Sequence, residues 1–319
     1  MNQVKIGVGF GLFSLGLPTA DTIARVAERA EEWGLDSFWL SDHLLAQSPE
    51  LDVIATLSLL AARTSKIKFG PSVFLLNLRH PLVAAKSFAS LDYLSHGRVV
   101  MAVGTGANLA DYAACGIPTE GRGRRLDEGI LILRKVWTEP KASFHGKYFN
   151  FDNVTIEPRP QPRTNTDSGT IDIWVGGRSD AALKRTARLA DGYFASFQTP
   201  EEFTRNMATV RTYAAQFGRA NARIESGLIL LCRLAASRER AMEEMRPALA
   251  AMGRGAEALV QRTIYGSPDD IMRRLEEYIA IGLDKFVLWP MAEPAAWAGQ
   301  IELIGREIAT HYARAARAA

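Results

Sequence analysis

The chain has 319 residues, enough for one α/β barrel of ordinary size or two smaller domains, and enough to bury a large core without a metal or disulfide staple. Its 38 basic against 35 acidic side chains leave a formal charge of only +3, which argues against nucleic acid as the main partner. The two cysteines, Cys115 and Cys232, lie far apart with no Cys-x-x-Cys or Cys/His cluster, which favours a reduced, cytoplasmic chain without structural zinc. No export signal precedes the first strand pattern, and no apolar run approaches the roughly 18 residues of a membrane span.

In chain order, Val4 to Phe10 reads as a strand rich in β-branched and aromatic residues. Ile23, Val26, Ala27 and Ala30 recur at helical spacing and predict a helix from about Thr19 to Trp33, stopped by Gly34. Ser37 to Leu40 is a second strand ending in Ser41-Asp42-His43. The cycle then repeats: helix Leu51–Arg63, strand Ile67–Phe74, helix His80–Leu94, strand Arg98–Val103. After Gly104-Thr105-Gly106 come a loop, a helix over Arg124–Trp137, and an alternating hairpin-like stretch from Phe144 to Phe151. Pro158, Pro160 and Pro162 lead back into the cycle.

The second half supplies strands Ile171–Val175, Gly192–Ser196, Gly227–Leu234 and Lys285–Trp289. Helices are expected over Ala181–Ala190, Pro200–Phe217, Arg238–Met252, Pro268–Ile281 and, closing the chain, Pro294–Ala313. Parallel candidates beginning at Val4, Ser37, Ile67, Arg98, Ile171, Gly192, Gly227 and Lys285 number eight, which predicts a (β/α)8 TIM barrel. Residues 1–319 form one domain in this reading, with an insertion at about 107–170 and a C-terminal helix. A doubly wound dinucleotide fold is disfavoured, because the Gly-x-Gly at 104–106 follows the fourth strand and lacks a third glycine. The five histidines show no metal-ligand spacing, so no metal is expected.

An ordered set of segments resembles the luciferase-like monooxygenase family, the bacterial-luciferase-like flavin- and F420-dependent oxidoreductases. The set runs from Ser41-Asp42-His43, through Arg79-His80-Pro81 and Leu91-Asp92-Tyr93-Leu94-Ser95-His96-Gly97-Arg98, to Ala102-Val103-Gly104-Thr105-Gly106. It continues with Arg125-Leu126-Asp127-Glu128-Gly129, Leu133-Arg134-Lys135-Val136-Trp137 and Trp174-Val175-Gly176-Gly177-Arg178. No single piece is specific, but together they cover nearly the whole chain. The resemblance implies a homodimer through the early helices and a small-molecule substrate, while the lack of a long apolar run gives no expectation of a membrane.

The resemblance also implies site residues. Asp42 and His43 stand at a barrel strand end, where Asp42 would contact the cofactor and His43 would transfer a proton or orient substrate; capping at a βα turn is the alternative. Ser72-Val73 is the expected non-proline cis bond of a bulge behind the cofactor ring. Gly104, Thr105, Gly106 and Asn108 follow the fourth strand, and Gly176, Gly177 and Arg178 open a helix whose N-terminus suits a phosphate. Plain turn glycines are the competing reading of both segments.

The segments Arg79-His80-Pro81 and Ser95-His96-Gly97-Arg98 read as mainly structural, and Arg122, Arg124 and Arg125 as a solvated helix start or an attractor of acidic ligands. Phe10, Phe13, Phe74, Phe197 and Trp289 are candidates for a pocket or the core. One departure counts against sugar-phosphate chemistry: F420 relatives that oxidise such a substrate have a glutamate where this chain has Ala107. Three functions remain open: an F420-dependent oxidoreductase, an FMN-dependent monooxygenase fed by a separate reductase, and a catalytically silent barrel.

Overall fold

β-Branched and aromatic residues make β1 (Lys5–Phe10) and β2 (Ser37–Leu40) good strands, and both are almost wholly buried, as strands covered on two faces must be. Between them α1 (Ala20–Glu32) is capped by the Thr19 hydroxyl and buries Ile23, Val26, Ala27 and Ala30. The computed structural model describes residues 3–10, 16–45, 49–164, 167–251 and 256–318.

The first half continues with α2 (Val53–Arg63), β3 (Lys68–Pro71), a 3-10 turn at Leu76–Leu78, α3 (Pro81–Leu94) and β4 (Val100–Val103). Then come α4 (Leu109–Ala114), α5 (Arg122–Thr138) and the antiparallel pair β5 (Ala142–His145) and β6 (Asn150–Val154). The second half runs β7 (Asp172–Gly176), α6 (Asp180–Leu189), β8 (Gly192–Ser196), α7 (Pro200–Gln216) and β9 (Glu225–Leu234). It ends with α8 (Arg238–Ala251), α9 (Ala256–Val260), β10 (Ile264–Gly266), α10 (Pro268–Ile279) and β11 (Lys285–Pro290). The closing helix is α11 (Pro294–Leu303), a π segment at Ile304–Ala309 and α12 (Thr310–Ala318).

The strand order is β3-β2-β1-β11-β9-β8-β7-β4, every neighbour parallel. The bridges Phe69–Val99 and Phe74–Val103 join β4 back to β3, so the expected (β/α)8 barrel is formed. β10 is an added strand beside β9. Within residues 107–170, α5 packs between α3 and α6 as a member of the helical ring, so the departures from the plain cycle are α4 and the β5–β6 pair.

Trp39, Val100, Ala102, Trp174, Phe194, Ile229, Leu231, Val287 and Trp289 form one buried cluster, the packed interior of the barrel. Trp289 lies across Gly9 so closely that a Cβ there would sit 1.2 Å from its indole nitrogen. At the N-terminal strand ends Lys285 pairs with Asp36 at 2.7 Å, its ammonium 5.3 Å from the centre of the Trp174 ring.

Two expectations change. β3 stops at Pro71 rather than Phe74, because Ser72 and Val73 leave the ladder and Phe74 rejoins only through its bridge to Val103. Phe10 and Phe74 are not pocket residues. Phe10 packs against Trp297 at 4.5 Å between ring centres and Phe74 edge-on against Phe88 at 5.0 Å, both under the helices. Phe197 and Trp289 do belong to the interior cluster, and Phe13 lies outside the described residues.

Candidate active site

The C-terminal end of β2 delivers three polar side chains in succession. Ser41 and Asp42 are buried; His43 is exposed. Asp42 is gripped by Arg79, whose two terminal nitrogens donate to its two oxygens at 2.7 and 2.8 Å, while the Leu75 N–H donates at 2.8 Å. Burial pushes its carboxyl above the ordinary aspartate range, opposed by this guanidinium and amide. Arg79, read from sequence as part of a structural segment, is thus the clamp on a predicted site residue, and Asp52 lies 3.6 Å from its far side.

His43 has a different partner. Its Nδ1 lies 2.9 Å from Glu50 Oε2, and the Ser41 hydroxyl donates to the other Glu50 oxygen. The Glu50 side chain is only 8% exposed, against 42% for His43, so the carboxylate is fixed and the imidazole stands at the edge of solvent. The hydrogen bond to Glu50 raises the His43 pKa above its ordinary value, with smaller help from the charges of Asp42 and Asp111 and against partial burial. Because Glu50 can only accept, Nδ1 carries a proton in either charge state, which leaves Nε2 as the atom that exchanges one. Glu50 went unrecognised in the sequence: it sits seven positions beyond His43 in a loop with no periodicity.

The next sector is built around Val73. The Ser72–Val73 peptide is cis, as the resemblance implied. The Val73 side chain fills the space where Gly104 and Gly176 lack Cβ atoms; added there, these would meet its methyls at 2.5 and 2.7 Å. Both glycines are therefore needed by packing, whatever else they do. Ser72 Oγ is buried without a hydrogen-bond partner among the described residues. Beyond β4 the Thr105 carbonyl accepts from the Tyr112 hydroxyl, which accepts from Asn77 Nδ2 at 3.0 Å. Asn108 caps α4, its Oδ1 accepting from the Ala110 N–H at 3.1 Å and its Nδ2 donating to the Leu45 carbonyl at 3.1 Å.

Four strands around the ring from β2 stands β8, so the β7–β8 side of the rim faces His43 across the barrel. Here Gly176-Gly177-Arg178-Ser179 leads from β7 into α6, whose N-terminus is capped by the Ser179 hydroxyl accepting from the Ala182 N–H. Gly177, Arg178, Ser196, Phe197, Leu259 and Arg262 line a cavity of about 430 Å³. Arg262 is held by Glu202 and the Phe197 carbonyl, whereas Arg178 is exposed. Of the basic run on α5, Arg125 stacks 4.6 Å over Phe149 and the Arg122 carbonyl is tied to Asn77, while Arg124 is exposed. His80 caps α3, and Arg98 donates five hydrogen bonds that bind the base of β3 to its neighbours.

The donor set suits a phosphorylated, ring-bearing redox cofactor. A helix N-terminus with Arg178 can take a phosphate, the Val73 bulge and unpartnered Ser72 hydroxyl offer a surface, and His43 stands opposite. Among the described residues no cluster of three His, Cys, Asp or Glu side chains could hold a metal ion.

Comparison with known proteins bears on the family and the fold. The family model for luciferase-like monooxygenases matches residues 9–285. The chain is 30% identical to an F420-dependent glucose-6-phosphate dehydrogenase of Nakamurella multipartita, across 70% of this chain and 67% of that protein. It is 33% identical to the Kineococcus radiotolerans protein of the same description, across 54% and 51%, so it spans about half the length of some of the curated relatives it matches. It is also similar to an FMNH(2)-dependent dimethylsulfone monooxygenase of Pseudomonas putida, 31% identical across 62% of this chain and 54% of that one. Among solved structures, the F420-dependent tetrahydromethanopterin reductase of Methanopyrus kandleri superposes with a TM-score of 0.78 at 22% identity, covering 98% of this chain and all of that one. With strand order, rim and a model match over most of its length in agreement, the chain belongs to the luciferase-like monooxygenase family.

Proposed function

We propose that the protein is an oxidoreductase that transfers a hydride between coenzyme F420 and a small organic substrate, with His43 as the proton-handling group. The observation that carries this reading is the buried Glu50 carboxylate on His43 Nδ1, which aims one exchangeable nitrogen out from the end of a barrel strand. A general acid or base needs that arrangement: a fixed ring, a defined tautomer and a pKa near the working pH. The deazaflavin, when bound, supplies the hydride chemistry. Gly177 and Arg178 at the start of α6 would hold its phosphate, with Gly176 behind them. Ser72, Val73, Gly104, Thr105 and Gly106 would line the ring side, and Asn108 would contribute by keeping α4 in place. Asp42 acts on the cofactor through its neighbours in this reading, since Arg79 occupies both its oxygens.

Ala107 is exposed and brings no titratable group to the fourth-strand loop, which favours a substrate other than a sugar phosphate. A homodimer and a cytoplasmic location go with this reading; no helix of the described residues is long and apolar enough to cross a membrane.

The Pseudomonas putida relative supports a second reading, an FMN-dependent monooxygenase served by a separate reductase. The two are separated by titrating the purified protein with F420 and FMN side by side. F420 is expected to bind at least tenfold tighter; tighter binding of FMN, with oxygen uptake dependent on reduced FMN, would replace the first reading by the second.

A further inference from the structure

We propose that Asp111 is a positioning residue whose buried carboxylate latches helix α4 to the segment that carries His43. The inference rests on the reading of His43 as the proton-handling group. Asp111 is 1% exposed, and its Oδ1 accepts from the Leu45 N–H at 3.0 Å and from Asn108 Nδ2 at 2.9 Å. That same Asn108 amide donates to the Leu45 carbonyl at 3.1 Å. A residue two positions after His43 thus has both its backbone groups held from α4. The adjacent residue on the helix, Tyr112, holds the Thr105 carbonyl, so one short helix fixes the ends of two barrel strands.

A carboxylate is a costly choice for a latch. Its Oδ2 is buried with no partner among the described residues, and an asparagine would offer the Leu45 N–H an acceptor without burying a charge. That charge also favours a proton on His43. Glu50 is hydrogen-bonded to Nδ1 of the imidazole, and the charges of Asp42 at the end of β2 and of Asp111 on α4 also act on it; the Arg79 guanidinium is engaged with Asp42. The field of Asp111 adds to the attraction of Glu50 and Asp42 for a proton on His43, while its hydrogen bonds keep the ring's segment in place.

The test is an NMR titration of the histidines in isotope-labelled, ligand-free protein, with the His43 signal assigned by the His43→Gln variant. Asp111→Asn should fold, keep the Leu45 amide protected from exchange, and lower the His43 pKa by about half a unit. Asp111→Ala should lower it similarly and speed exchange at Leu45 about tenfold. Asp111→Glu should restore the titration toward that of the native protein. If Asp111→Ala does not fold, Asn108→Ala, which removes the tether to the Leu45 carbonyl together with the α4 cap and one contact to Asp111, should still speed that exchange. An unchanged His43 titration in Asp111→Asn, or an unchanged Leu45 amide in whichever of the alanine variants folds, would overturn the proposal. Because no cofactor is present, a failure here is distinct from failure to bind F420, which the cofactor titration reads separately.

Discussion

Glu50 determines what His43 can do. Replacing it with glutamine removes the charge but keeps a hydrogen-bonding group, so His43 should titrate at lower pH in Glu50→Gln, by more than in Asp111→Asn, as the same NMR titration would read. The stabilising effect of the pair follows the raised His43 pKa: it is fully present below the ordinary histidine value and disappears as pH rises through the folded-state value. Urea unfolding of Glu50→Gln should therefore show a larger deficit at pH 6 than at pH 9, and equal deficits would contradict the pairing. Asp42 has a different balance. Asp42→Ala leaves the Leu75 N–H unpaired and Arg79 without its carboxylate; with Arg79 26% exposed and able to rehydrate, the expected loss is about 3 kcal/mol by denaturant unfolding. The place of Asp42 and His43 just past a barrel strand was legible in sequence, because the strand pattern Ser37–Leu40 stops immediately before Ser41. Glu50 and the Arg79 clamp were not, because both partnerships are made by loops folding back, which leave no spacing to read.

At the scale of elements, the rim depends on Val73 lying between two strands that lack side chains where it needs room. Gly104→Ala places a methyl 2.5 Å from a Val73 methyl, and a β-branched side chain has no other rotamer to escape into cheaply. The expected cost is about 1–3 kcal/mol. Most of it should be recovered in the Val73→Ala, Gly104→Ala double variant, and a simple sum of the two single effects would show that the contact is not the cause. The barrel strands were readable because each is a short β-branched run followed by a helical pattern. Helix α4 was missed: its six residues span less than two turns, and its cap, Asn108, was counted as a ligand contact. The three residues of β10 were too few to show alternation. On α3, Val83, Tyr93 and Leu94 are 63%, 54% and 65% exposed, single apolar side chains that the proposed homodimer through the early helices would cover. Leu94→Arg should convert a dimer to monomer in sedimentation velocity; an unaltered dimer would place the interface elsewhere.

For the whole molecule, the two ends of the barrel carry separate duties. The rim is where the proposed chemistry would lie, and the base holds charges whose cost falls on stability. Asp172, at the start of β7, is held at a pKa of about 6 by burial and by the charge of Asp191, against the pull of Arg163. A carboxyl raised in this way favours the folded state most when protonated, so its contribution is present below about pH 4 and fades as pH rises through about 6. Asp172→Asn, permanently neutral, should match the native protein near pH 4 and exceed it by about 1–2 kcal/mol near pH 8. The barrel as a whole was legible from its eight alternating units, but the opposition of His43 and Arg178 across the rim emerges only when the strand order is known. That opposition is the central claim, and a crystal structure with F420 bound tests it most directly. The account predicts the phosphate at the start of α6 beside Gly177 and Arg178, the ring against Val73, and His43 Nε2 facing the substrate side. Cofactor density elsewhere, or a bound ring with His43 turned away from it, would contradict the account.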